Sequence, residues 1–242
     1  MARPPPGLLA GPTENDQGNG FAAGSSVWSA ADTWQICENI QLLEESETRI
    51  SIRYTYAAPS VPGLCTEVTY TVEGSGILRV SLLYHGQPGR PELPLFGLRF
   101  ATPQPLERVE WLGLSGETYP DRKKGGVFGW HREIPHIPAY LVPQECGCHM
   151  DTHAAVLRGP EGSGLTLMKT DAPFAFSAIP YTPQQLEQAA HREELPDPVR
   201  TVVTVCGAMR GVGGIDSWGS DVEEAFRIKA DGDMEFSFQI AL

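Results

Sequence analysis

The 242-residue sequence has little basic charge: 18 Lys and Arg stand against 30 Asp and Glu, for a formal net charge of −12. Nucleic-acid binding depends on clustered Lys and Arg that neutralise phosphates, so this balance argues against a nucleic-acid partner and an anionic membrane surface. The sequence also lacks any apolar run near the ~20 residues that a membrane-spanning helix needs. We therefore predict no nucleic-acid partner and no membrane partner.

Cysteine is scarce as well, and its number is odd. A disulfide framework is typical of short secreted chains with an even number of cysteines, so we expect reduced thiols and a cytoplasmic location. Residues 1–10 contain three successive prolines and only a very short apolar run, which predicts an irregular leader rather than a signal peptide or a membrane anchor. The five cysteines are Cys37, Cys65, Cys146, Cys148 and Cys206.

What the sequence does have is a repeated alternation of apolar and polar residues from residue 48 onward. This period of two predicts half-buried antiparallel strands. Gly-containing turns at 73–76 and 231–232 predict two hairpins, the second of them leading into the run from Met234 to Ile240. The other predicted strands are 50–56, 68–72, 78–84, 95–100, 108–112, 154–157, 165–169, 174–178, 201–205 and 225–229.

One helix is predicted over residues 182–191. Thr182 suits the N-cap, Pro183 the first helical position, and Gln185 the reciprocal position of a capping box. Many short strands with a single short helix indicate an all-β sandwich. We see no boundary between domains, so residues 1–242 are predicted to form one domain.

Three groups of residues have the right types for chemistry, but their spacing is weakly diagnostic. Cys146-Gly-Cys148-His149 with Asp151 and His153 uses the ligands of zinc, but without a second, distant pair. The run 211–214 is similar to a dinucleotide loop but lacks the βαβ unit that such a site needs. A glycosidase needs two carboxyl groups roughly 5–10 Å apart. The candidates by type are Glu110, Glu117, Asp121, Glu133, Glu145 and Asp216.

The run 207–222 is the most distinctive stretch, since it has five glycines and one large aromatic residue, Trp218. Glycine serves where the backbone needs a positive φ or a close approach. The run therefore predicts a shaped loop that holds Trp218 and Asp216. The indole of Trp218 either fills a gap in the core or lies outside, where it stacks on the apolar face of a sugar.

Eight runs, taken in order, resemble the C-terminal domain of the large bacterial β-galactosidases of the glycoside hydrolase family 2 type. In some bacteria this domain is a separate small chain. The resemblance extends from about Leu8 to the end of the sequence. The runs are 11–18, 108–114, 116–122, 143–145, 174–178, 181–186, His191 and 211–218.

The resemblance implies a large antiparallel β-supersandwich of the galactose-mutarotase-like type. It also implies retaining hydrolysis of terminal β-D-galactosides such as lactose, with the catalytic glutamates on a TIM barrel in another portion of the enzyme. This chain would then have no catalytic residue and no metal of its own. The resemblance allows Mg²⁺ and Na⁺ in that catalytic portion, and it names the large subunit or N-terminal catalytic portion as the partner.

The resemblance also implies roles for particular residues. In the family a tryptophan of this domain reaches the sugar site, and it corresponds to Trp218. A mobile loop that opens and closes beside the active site begins at a glycine that corresponds to Gly18. We therefore expect substrate binding by Trp218, gating by Gly18, Asn19 and Gly20, and support of the Trp218 loop by Gly213, Gly214 and Asp216.

Two other functions stay open from the sequence. A free-standing carbohydrate-binding module would need only the sandwich and Trp218. An aldose epimerase of related fold would need a histidine base and a carboxylate facing one sugar, and no motif supports this choice. The histidines available for that role are His85, His131, His136 and His153.

Overall fold

The structure is a computed structural model that describes residues 24–28, 31, 34–140, 142–216 and 218–242. The described residues form strands, one α-helix (α1) and short 3₁₀ turns at 25–28, 160–162, 192–194 and 224–226. The helix α1 is Pro183–Gln188. The strands are β1 Ile36–Glu45, β2 Arg49–Ala57, β3 Thr66–Glu73, β4 Leu78–Tyr84, β5 Leu95–Ala101, β6 Arg108–Leu114, β7 Phe128–Glu133, β8 His149–Thr152, β9 Ala154–Arg158, β10 Gly164–Lys169, β11 Phe174–Ile179, β12 Val202–Met209 and β13 Met234–Ala241.

The strands form two sheets in which every neighbouring pair is antiparallel. One sheet has nine strands in the order β1-β2-β3-β4-β13-β10-β9-β6-β7, and the other has four in the order β5-β12-β11-β8. The prediction of a large antiparallel all-β fold with one short helix is confirmed. None of the helices in the described part of the chain has the length and apolar character to cross a membrane.

Both sheets contribute side chains to one hydrophobic core, so they pack face to face. Val80, Trp111 and Phe238 face inward from the nine-stranded sheet, while Phe176 and Val203 come from the smaller one. All five are at most 2% exposed. Burying a side chain of the size of Val or Phe contributes about 1.5–3 kcal/mol, so this shared core is what holds the two sheets together.

The capping box of α1 is present as predicted. The amide of Gln185 donates to Thr182 Oγ1 at 3.2 Å, and the amide of Thr182 donates to Gln185 Oε1 at 2.9 Å. The helix ends at Gln188, three residues earlier than predicted, because Ala189 takes an extended conformation.

Two predictions in the C-terminal quarter are wrong. Residues 225–229 form no strand: Glu224–Phe226 is a 3₁₀ turn, and Ile228 makes a single bridge to Leu93. The turn at 231–232 makes no hairpin, because β13 pairs with β4 and β10 rather than with a strand just before it. Partners distant in the sequence therefore determine the local pairing here.

Candidate functional site

The segment Arg210–Val222, which we call the Trp218 loop, follows β12 and presents Trp218 to solvent. The indole is 92% exposed, so it does not fill a gap in the core of this chain. Asp216 shapes the tip of the loop, because its carboxylate accepts the amides of Trp218 at 2.9 Å and Ser220 at 3.2 Å, as well as the Ser220 hydroxyl. These donors hold the pKa of Asp216 below its ordinary value, the Ser220 hydroxyl most of all. Asp216 therefore remains charged at neutral pH and keeps the backbone turned.

The base of the loop is held by Asp121, which lies on the connection between β6 and β7. Its two carboxylate oxygens accept the amide of Val212 at 3.0 Å and the amide of Gly213 at 2.8 Å. Gly213 and Gly214 both have φ of +70°, a conformation that favours glycine. A Cβ on Gly211 would lie 2.8 Å from the Asp121 carboxyl carbon, so this position also needs glycine.

The two ends of the loop meet in an ion-pair network that we call the Arg210 cluster: Glu92, Arg210, Asp221 and Arg227. The Arg210 side chain is only 3% exposed, contacts Asp221, and lies 3.5 Å from a Glu92 oxygen. Arg227 binds the other oxygen of Asp221 at 3.1 Å and also donates to the carbonyl of Val222 at 2.6 Å. These contacts thus hold the loop at both ends, at its base and at its tip, and the indole projects from this frame.

Comparison with known proteins shows the family to which this chain belongs. A family model described as "Beta galactosidase small chain" matches residues 2–240. The chain belongs to the β-galactosidase small chain family.

Relatives within this family differ in how much of their length the chain spans. The chain is 44% identical to the "Beta-galactosidase small subunit" of Latilactobacillus sakei, over 98% of this chain and 84% of that protein. It is 35% identical to the "Beta-galactosidase" of Halalkalibacterium halodurans over 94% of this chain and 23% of that one. It is 30% identical to "Beta-galactosidase BgaC" of Bifidobacterium adolescentis, over 95% of this chain and 22% of that protein. The chain therefore spans less than a quarter of these two longer relatives.

Solved structures with a similar arrangement are distant in sequence. A putative aldose 1-epimerase of Escherichia coli K12 has a TM-score of 0.43 and 11% identity, over 84% of this chain and 68% of that one. A galactose mutarotase-like protein of Lactobacillus casei has a TM-score of 0.37 and 12% identity, over 84% and 72%.

The carboxylates considered for glycoside cleavage in this small chain all make structural contacts. Glu117 accepts the hydroxyl groups of Tyr119 and Tyr140 and the amide of Gly147. Burial, with Glu117 adding to it, raises the pKa of Tyr140 to about 12. The remaining contacts are Glu110 with Arg158 at 2.9 Å, Glu133 with His149 at 3.1 Å, and Glu145 with Arg99 at 2.7 Å.

The Cys146–His153 segment is divided between different parts of the core. Cys146 packs with Ile179 and Leu186, whereas Cys148 packs in a separate cluster with Tyr119. Burial, more than the nearby carboxylates, raises the pKa of the Cys146 thiol to about 12. The His149 ring stacks on the Trp111 indole with 3.9 Å between the ring centroids. Asp151 forms an ion pair with Lys123, with 2.9 Å between Nζ and Oδ2. Within the residues that the structure describes, no group of three or more such side chains is arranged to hold a metal ion.

Sequence reasoning missed the roles of Asp121, Arg210 and Arg227, which hold the base and the ends of the Trp218 loop. Asp121 was named only for its type, and Arg210 and Arg227 were not named at all. The available signal was a carboxylate in the 116–122 run, which belongs to the same resemblance as the 211–218 run. Gly18, Asn19 and Gly20, the predicted gating residues, lie outside the described residues.

Replacing Asp121 with alanine is expected to lower the free energy of unfolding by about 1–3 kcal/mol, because two amides lose a charged acceptor in a site where the carboxylate is 6% exposed. Urea denaturation measures the loss, and amide hydrogen exchange should accelerate at Val212 and Gly213. Asp171→Ala is the matched control, since Asp171 is exposed in a turn. Equal stability of the two variants would contradict the assigned role of Asp121.

Proposed function

We propose that this chain is the small chain of a two-part β-galactosidase of the glycoside hydrolase family 2 type. In this proposal the catalytic partner, a chain or portion with a TIM barrel, hydrolyses terminal β-D-galactosides such as lactose. Residues 1–242 act as one domain that completes the galactoside site. The observation that carries the proposal is the match along nearly the whole chain to a β-galactosidase small subunit.

Trp218 is the residue that we propose contacts the galactoside. The indole of Trp218 is 92% exposed, although the loop that carries it is clamped, so a large apolar surface stays in contact with water. This surface offers a flat face for the C–H side of a sugar ring. The contact works by burial: each Å² of apolar surface removed from water contributes about 25 cal/mol. Asp216, Gly213 and Gly214 then act through Trp218, since they determine where the indole lies.

The chemistry belongs to the catalytic partner in this proposal. Retaining glycosidases need a carboxylic acid that protonates the leaving oxygen and a carboxylate nucleophile about 5–5.5 Å away. The carboxylates considered in this chain accept hydrogen bonds or ion pairs that shape its own fold. Mg²⁺ and Na⁺, if the enzyme uses them, are bound by the partner.

We also propose a cytoplasmic location and a gating role for Gly18, Asn19 and Gly20. All five cysteines are free thiols, which suits a reducing compartment. The gating role rests on the resemblance in the 11–18 run and on the small side chains that follow it.

The proposal is tested by expressing this chain and a catalytic partner chain separately and together, with a chromogenic galactoside as substrate. We expect no turnover from this chain alone, co-purification of the two chains, and hydrolysis that rises to saturation as this chain is added to the partner. Turnover by this chain alone, or a partner whose activity and elution are indifferent to it, would contradict the proposal.

A free-standing carbohydrate-binding module is the second candidate, and the exposure of Trp218 is the observation that favours it. It predicts galactoside binding by the isolated chain, lost in Trp218→Ala and measurable by calorimetry. The two-chain proposal predicts that the isolated chain binds galactosides at least about tenfold more weakly than the assembled enzyme, because one stacking face leaves most of a sugar in water.

A further inference from the structure

The far edge of the nine-stranded sheet carries an apolar outer face. In β7 the side chains alternate, and register pairs Trp130 with Leu112 and Phe128 with Leu114, while Leu112 pairs onward with Ala154 in β9. Residues in register share one side of a sheet. These side chains therefore lie together on the side opposite the core. We call this surface the β6–β7 face: Leu112, Leu114, Phe128, Trp130 and Ala154.

The β6–β7 face is open to solvent in this chain. Trp130 is 62% exposed and Phe128 is 52% exposed, whereas Trp111, which faces inward from the neighbouring strand β6, is 2% exposed. Contiguous exposed apolar surface of this kind marks an interaction site, and tryptophan is the residue most enriched among the anchors of protein interfaces. An uncovered edge strand is also a liability that natural sheets usually cover.

The charge around this face is opposite to that of the protein as a whole. Residues 122–132 contain four of the 18 Lys and Arg and no Asp or Glu, in a chain of net charge −12. Two of the four have assigned contacts: Lys123 pairs with Asp151, and Arg122 donates to the carbonyl of Gly213. Lys124 and Arg132 are exposed, and Arg132 lies opposite Glu110, a carboxylate that already pairs with Arg158. A complementary surface would therefore be apolar at its centre with carboxylates at its rim.

The β6–β7 face is continuous with the frame of the Trp218 loop. The connection from β6 to β7 carries Asp121, which binds the loop amides, and Arg122, which binds a loop carbonyl. The two ends of this connection are joined beside the sheet by Ser115 and Val127. The amide of Ser115 donates to the carbonyl of Val127, and the amide of Val127 donates to Ser115 Oγ, both at 3.0 Å. A surface that covers the β6–β7 face would therefore lie beside the connection that holds the base of the Trp218 loop.

We propose that the β6–β7 face is the docking surface for the catalytic partner, which covers it with an apolar patch rimmed by carboxylates. This inference rests on the proposed function and deepens it. Docking on this face brings the partner beside the β6–β7 connection, which holds the base of the Trp218 loop. In the two longer relatives the matching region is less than a quarter of one chain named β-galactosidase. In those proteins the remaining portion of the same chain is available to cover the face.

The opposite edge of the same sheet provides an internal control. Ile40 and Leu42 of β1 are 63% and 55% exposed, a degree of exposure similar to that of Phe128 and Trp130. Strand β1 lies at the other end of the strand order, and none of the contacts that hold the Trp218 loop comes from it. A general effect of removing exposed apolar surface would therefore appear equally at both edges.

The experiment measures the dissociation constant between this chain and the immobilised catalytic partner chain by biolayer interferometry. We expect Phe128→Ser with Trp130→Ser to raise Kd by about 30-fold or more, as for the loss of interface anchors. Ile40→Ser with Leu42→Ser should change Kd by less than about threefold. Lys124→Glu with Arg132→Glu should lower the association rate by about tenfold at low salt, and the difference should shrink at high salt. Thermal unfolding of each isolated variant checks that the fold is retained.

The outcomes separate this inference from the function on which it rests. A wild-type chain that does not bind or activate the partner contradicts the proposed function itself. A wild-type chain that does both, while the Phe128/Trp130 variant binds equally well or the Ile40/Leu42 variant binds as poorly, overturns only the docking surface. Self-association of the wild-type chain at micromolar concentration, lost in the Phe128/Trp130 variant, would instead assign the face to a second copy of this chain.

Discussion

Arg210→Met is expected to lower the free energy of unfolding by about 2–4 kcal/mol, because the partly buried carboxylates of Asp221 and Glu92 lose one of the two arginines that compensate them. The Arg210 side chain is 3% exposed and lies between the carboxylates of Asp221 and Glu92. Without it, within the described part of the chain, Arg227 alone compensates those carboxylates at the two ends of the Trp218 loop. For a chain of this size such a loss lowers Tm by about 10 °C.

Denaturant unfolding of the isolated chain measures this effect, with Arg192→Met as the matched control. Arg192 is exposed in a 3₁₀ turn, so its replacement is expected to change stability by less than about 0.5 kcal/mol. Arg227→Met should fall between the two, because Arg227 binds the same carboxylates but is 29% exposed. A variant of Arg210 as stable as the Arg192 variant would show that the cluster does not hold the loop.

Trp218→Ala is expected to lower kcat/KM of the assembled enzyme for a galactoside by about 10- to 100-fold. The estimate follows from burying roughly 100 Å² of indole and sugar surface at about 25 cal/mol per Å², which is about 2.5 kcal/mol. The stability of the isolated chain should not change, because an indole that is 92% exposed makes little contact with its own fold. Steady-state kinetics of the complex, with unfolding of the free chain measured in parallel, gives both results.

Trp34→Ala is the control for this loss, since Trp34 is 70% exposed and is not part of the Trp218 loop. Its replacement is expected to leave kcat/KM within about twofold of the wild type, the range usual for surface substitutions. Trp218→Phe should retain part of the activity, because a smaller flat ring keeps some of the stacking surface. Full activity of Trp218→Ala in a complex of unchanged composition would remove Trp218 from the substrate site.

The strands that could be predicted from the sequence have at least one face toward the core, and β11 is buried on both faces. In β4, for example, Val80 and Leu82 point into the core and Ser81 between them points outward, so the alternation can be recognised in the sequence. Strand β1 was missed because it is exposed on both faces and its pairing with β2 is interrupted by two register shifts. Strand β7 was missed because Phe128 and Trp130 point outward to solvent. Its apolar residues therefore do not mark the side of the strand that faces the core.

The candidate site divides in the same way. Local rules account for the positive φ of Gly213 and Gly214 and for the turn at Asp216, which depend on neighbours within a few residues. The role of these residues in supporting Trp218 at a sugar site stays a prediction. The clamp was not predictable, because Asp121 reaches Val212 and Gly213 from 91 and 92 positions away in the sequence. Pairings at such separations are set by how the sheets pack, and no local pattern reports them.

The clamped frame of the Trp218 loop has a thermodynamic consequence for recognition. Fixing one backbone residue costs about 1–2 kcal/mol of conformational entropy, and a loose loop would meet that cost each time a sugar arrived. Here folding has already met it through Asp121, Asp216 and the Arg210 cluster. If Trp218 contacts a sugar as we propose, the ring would meet a preorganised surface and keep nearly all of the stacking free energy.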